Sequence, residues 1–110
     1  MARSDGVEPG RWSDPSLLVL ASLAEGEKHG YAMVSDIERM AGVHLGPGTL
    51  YGALSRLESQ GLIEATRTEG RRRPYRITGA GAELLRERLT TIATVADTGL
   101  SRLRAAGAAA

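Results

Sequence analysis

Apolar residues in this chain fall into runs whose spacing changes from one stretch to the next. Residues 16–24, SLLVLASLA, are almost continuously apolar, which predicts a helix contacted on more than one side. Asp14 or Ser13 is placed to cap it, Pro15 suits its first turn, and Gly26 ends it. After the polar link 25–29, residues 30–41 set Tyr31, Val34, Met33 or Ile37, and Ala41 at three- and four-residue intervals, the period of an amphipathic helix stopped by Gly42. A turn at 43–46 leads to Pro47, whose fixed φ favours the start of a third helix running to Gln60. Leu50, Leu54 and Leu57 share one face of it, Gly48, Tyr51, Gly52, Ser55 and Ser59 lie away from that stripe, and Gly61 is the stop.

Residues 62–69 are β-branched with rough alternation, residues 70–72 form a turn, and 73–78 alternate again, so a hairpin with a basic tip is expected. A last helix opens at Thr78 or Gly79, with Leu85, Leu89, Ile92, Ala96 and Leu103 in a four-three-four spacing and Gly99 at the missing seam position. The implied organisation is a flexible arm (1–13), a winged helix-turn-helix (14–79), a dimerisation helix (80–104) and a disordered tail (105–110). The expected fold class is mainly α with a small β-hairpin wing.

Composition narrows the function. A chain of 110 residues closes one modest core, and with no cysteine it holds neither disulfides nor thiolate metal sites. The N-terminus lacks the apolar stretch of a secretory signal and no run reaches membrane-spanning length, so a cytoplasmic protein without a membrane partner is expected. The net charge of +1 conceals an uneven division. Residues 1–66 carry five basic and nine acidic side chains, whereas residues 67–76 carry five basic and one acidic. One ten-residue segment therefore holds the positive field.

That segment follows a helix suited to a groove. Pro47, Gly48, Thr49, Gly52 and Ser55 are small or polar, so the backbone of the third helix can approach bases and phosphates closely. The Tyr51 hydroxyl and the first amides of the helix can donate to phosphate. Arg56 suits either a phosphate or a neighbouring Glu. Arg71, Arg72 and Arg73 at the hairpin tip suit a minor groove, where phosphate neutralisation makes affinity salt-dependent. His29 and His44 have no partners at metal-ligand spacing, and no phosphate loop or nucleophile elbow is present, so neither cofactor nor catalysis is expected.

The stretches HGYAMVSDIERMAG, LGPGTLYGALSRLESQGLIEA and GRRRPYRITGAGAELL together resemble the PadR-like transcriptional regulators, over roughly residues 17–89. The resemblance implies a homodimeric winged-helix repressor that controls nearby genes and dimerises through its C-terminal helix. By matching positions, Tyr31, Thr49, Tyr51 and Ser55 would approach DNA, and Arg71, Arg72 and Arg73 would occupy the wing tip. The short C-terminal helix is similar to the smaller subgroup of the family. Two departures are Gly46, where the family often has a Ser or Thr cap, and Gly52, where a larger or basic residue is common. Some small relatives hold flat aromatic compounds between tryptophans at the dimer interface. Here residues 79–110 contain no aromatic residue, so Trp12 in the arm is the one stacking partner if a small-molecule effector binds between subunits, and surface or dimer packing is its favoured role.

The expected partners are thus double-stranded DNA, bearing a palindromic operator, and a second copy of the chain. Leu17, Leu18, Leu85, Leu89, Ile92, Ala96 and Leu103 are the candidate dimer residues. The alternative, a winged-helix module that binds another protein without touching nucleic acid, would call for apolar residues on the exposed face of the third helix.

Overall fold

A computed structural model describes residues 14–66 and 73–109. Among the described residues four helices and one hairpin follow in the order α1 (Pro15–Leu23), α2 (Gly30–Ala41), α3 (Pro47–Ser59), β1 (Ile63–Ala65), β2 (Tyr75–Ile77) and α4 (Gly79–Ala109). The strands pair antiparallel with Ile63 opposite Ile77, Glu64 opposite Arg76 and Ala65 opposite Tyr75. The architecture is mainly helical with a small wing.

Local chemistry accounts for the boundaries. The Asp14 carboxylate accepts from the Ser16 amide at 2.9 Å and Pro15 takes the first turn of α1, while Gly42 caps α2. Between α3 and β1 the chain reverses at Gly61, whose φ of +75° would strain a residue bearing a side chain. Thr78 is the hinge into α4: its hydroxyl accepts from the Gly81 amide at 3.1 Å and donates to the Gly61 carbonyl at 2.7 Å.

α1 is central, packing against α2, α3, β2 and α4, as its all-round apolar character requires. Leu18, Val19, Leu20 and Leu23 join Met33 and Ile37 of α2, Leu50, Ala53, Leu54 and Leu57 of α3, and Ile63, Tyr75 and Leu85 in one core. α4 reaches that core through its first turns. There Gly81 passes so close to β1 that a Cβ would collide with the Leu62 carbonyl oxygen and the Ile77 side chain.

Several expectations shift. Tyr31 stands off the buried stripe of α2, which Met33 and Ile37 carry instead, and it is 85% exposed. Leu18 and Leu85, expected at a dimer contact, are only 7% and 5% exposed because the chain's own core consumes them. α4 continues to Ala109 rather than giving way to a disordered tail after residue 104, in keeping with the high helix propensity of alanine. The arm 1–13 with Trp12, and Arg71 and Arg72 at the wing tip, lie outside the described residues.

Candidate nucleic-acid interface

α3 divides cleanly between core and surface. Leu50, Ala53, Leu54 and Leu57 face inward, and the opposite face presents Pro47, Gly48, Thr49, Tyr51, Ser55 and Arg56 to solvent, with Gly52 half-buried. No side chain caps the N-terminus of α3, where Gly46 stands, so the first amides of the helix face outward unclaimed by a capping group.

Tyr51 is 57% exposed and leans toward the start of α2, where its hydroxyl oxygen would lie 3.3 Å from a Cβ added at Gly30. Here three elements meet in a cleft of about 470 Å³ lined by His29, Gly30, Tyr31 and Ala32 of the α2 entry, Tyr51 of α3, and Arg73 and Tyr75 of the wing root. The Arg73 guanidinium lies over the Tyr75 ring, 5.6 Å from its centroid, and also reaches Glu58 near the end of α3 at 3.4 Å. On the wing strands Arg76 pairs with Glu64 directly opposite at 2.7 Å. Among the described residues, Arg73 is thus the wing cation that fronts the cleft, and Arg76 is engaged across the ladder.

The candidates do not all converge. Tyr31, Tyr51 and Arg73 share the cleft, whereas Thr49 and Ser55 open on the neighbouring exposed surface of α3. Arg56 reaches back to α1 and lies along its own helix. One guanidinium nitrogen donates to the Ser16 hydroxyl at 3.4 Å, and the other would lie 3.6 Å from a Cβ at Gly52. Gly52 thus leaves room for Arg56 to fold back along the helix. His29, Tyr75 and Glu58 belong to the site, although sequence reasoning does not single out the last two. A tyrosine directly after the Arg-Pro pair of the wing is the available signal for Tyr75.

A second, apolar groove of about 480 Å³ runs between Ala24, Ile77, Leu85, Leu89 and Ala93. Beyond it α4 exposes Leu89, Ile92, Val95, Leu100 and Leu103. Ala96 is exposed and Leu17 partly buried. Among the described residues no group of three His, Cys, Asp or Glu is placed to hold a metal, and no helix is long and apolar enough to cross a membrane.

Three helices, a short antiparallel wing and a long terminal helix, with a polar outer face on the third helix, define a winged helix-turn-helix protein. Residues 19–87 match the transcriptional regulator PadR-like family, and the chain belongs to it. The members of that family regulate transcription.

The chain is 42% identical over 74 residues to Transcriptional regulator Rv3488 of Mycobacterium tuberculosis, covering 64% of this chain and 68% of that protein. It is 51% identical over 75 residues to a 37.1 kDa protein in transposon TN4556 of Streptomyces fradiae; that match takes in 68% of this chain but spans only 22% of the transposon protein. The crystal structure of a PadR family transcriptional regulator from Eggerthella lenta superposes with a TM-score of 0.68 at 34% identity, covering 84% of this chain and 83% of that one.

Proposed function

We propose that the protein is a sequence-specific regulator that binds double-stranded DNA as a homodimer and represses transcription from a palindromic operator. The observation that carries this reading is the shared cleft, in which Tyr51 of α3, Tyr31 of α2 and Arg73 of the wing root open on one face. With α3 in the major groove, the wing would track the flanking phosphates, and the Tyr31 and Tyr51 hydroxyls would donate to the backbone between them. Thr49 and Ser55 stand where base edges would be read, and Gly48 and Gly52 let the helix approach closely. Few side chains on α3 read bases. Two equal half-sites about 34 Å apart therefore supply the discrimination that one protomer lacks.

The seam of Leu89, Ile92, Ala96 and Leu103, extended by Val95 and Leu100, supports the second copy. A DNA ligand implies a cytoplasmic location, and an effector binding between subunits would tune the separation of the two half-sites. The protein-docking alternative is disfavoured, because Tyr51 is the one large apolar side chain α3 exposes among the described residues.

The test replaces Arg71, Arg72 and Arg73 by Ala and titrates DNA from upstream of the protein's own gene across a salt series. Affinity should fall, and the slope of log affinity against log salt should become shallower by about 0.9 for each phosphate that the wing no longer neutralises. Unchanged affinity and slope would remove the wing from the interface and the reading with it.

A further inference from the structure

Lys28 sits in the link between α1 and α2 and joins several elements of the fold. Its amide donates to the Tyr75 carbonyl at 3.0 Å and its carbonyl accepts from the Tyr75 amide at 2.9 Å. This reciprocal pair adds a one-residue third strand to the wing. The side chain is 12% exposed, and its ammonium donates to the Ser22 carbonyl at 2.6 Å, pairs with Glu25 at 2.8 Å and lies 3.9 Å from Asp36. Asp36 in turn accepts the hydroxyl of buried Ser22 at 2.7 Å. One residue therefore ties the last turn of α1, the middle of α2 and the root of the wing.

The physical need for such a tie is clear from the size of the wing. Two three-residue strands are marginal as an isolated hairpin, and their orientation depends on what holds their root. The ammonium is well suited to the task. It meets a carbonyl at the C-terminal end of α1, where the helix dipole favours a cation, it pairs with the Glu25 carboxylate, and the Asp36 charge lies nearby at 3.9 Å. Tyr75, on the far side of the backbone pair, lines the cleft and carries Arg73 over its ring.

We propose that Lys28 is a positioning residue that sets the angle between the wing and α3, so that the wing arginines reach phosphate only while its ammonium is clamped. This rests on the DNA-binding reading for its effect on affinity, but not for its effect on the wing root.

The experiment has two arms, both on the full chain. In the first, Lys28→Met removes the ammonium and keeps an unbranched stem, and amide exchange is followed at Tyr75 and at Leu54 in the core. Exchange at Tyr75 should accelerate about tenfold or more with Leu54 unchanged, the signature of a local opening. Equal acceleration at both sites would mean a general loss of stability and overturn the proposal. Should K28M fail to fold, Asp36→Asn, which leaves Lys28 in place, should speed Tyr75 selectively by about threefold or more; a Tyr75 rate equal to wild type would overturn it.

In the second arm, K28M should weaken DNA binding about tenfold in the wild-type background and less than about twofold in the R71A/R72A/R73A background, because the two changes act through one element. An equal loss in both backgrounds would show that Lys28 does not act through the wing. If the wild-type chain binds no DNA at all, the DNA-binding reading fails, and the exchange arm still decides the role of Lys28.

Discussion

α3 and α4 both start on the shared core and then part company. α3 turns Leu50, Ala53, Leu54 and Leu57 inward along its whole length, so its outer face is free to carry glycine, threonine, serine and tyrosine. α4, 31 residues in all, buries Leu85 and then leaves the core, with an aliphatic row from Leu89 to Leu103 open to solvent. In the first helix the apolar surface is satisfied within the protomer and the polar surface is offered to a ligand. In the second, apolar surface is itself what is offered, and its continuity with the groove at Ala24 and Ile77 makes one patch.

The contrast is broken most strongly by Leu89→Asp with Ile92→Asp. Each aspartate replaces about 2 kcal/mol of burial and adds a charge that the seam cannot solvate. The expected result is a halved mass in light scattering and the loss of tight operator binding, with the protomer still folded. An undiminished mass would mean that α4 does not form the interface. Next in size is Gly81→Ala at the junction of the two regions. The added methyl has nowhere to go against the Leu62 carbonyl, and a loss of about 1–3 kcal/mol is expected in thermal unfolding. Alanine at Gly107, where a Cβ meets nothing, should instead stabilise slightly.

The smallest effect sharpens the ligand side. Glu58 holds Arg73 at 3.4 Å with both side chains well exposed, so Glu58→Gln should release the guanidinium and raise DNA affinity by about twofold, as a solvent-screened pair worth at most about 0.5 kcal/mol allows. Weaker binding in a titration would show that Glu58 orients Arg73 rather than restraining it.

Much of this is legible in the residues. Pro15, Gly42, Pro47 and Gly61 set backbone angles that few alternatives satisfy, and the helix boundaries fall at or within a few residues of them. The outward face of α3 follows from where its leucines are not. Periodicity, however, reports that a side chain is apolar without naming what it packs against. Leu18 and Leu85 therefore read as candidates for a partner and are core, while Tyr31 reads as part of a buried stripe and is surface. The end of α4 departs for a related reason: composition suggests a loose tail where alanine sustains the helix. Lys28 is illegible because most of its partners are backbone groups or lie far off in sequence, the Ser22 carbonyl and the Tyr75 amide and carbonyl among them, leaving only Glu25 three residues away as a local trace.

The length of α4 turns its root into the fulcrum of a lever. At a rise of 1.5 Å per residue its 31 residues extend about 46 Å, so a tilt of about 5° at Thr78 swings the far end by about 4 Å. Whatever grips the distal turns thereby feels a small rotation at the Thr78–Gly81 junction as a shift larger than the spacing between neighbouring base pairs.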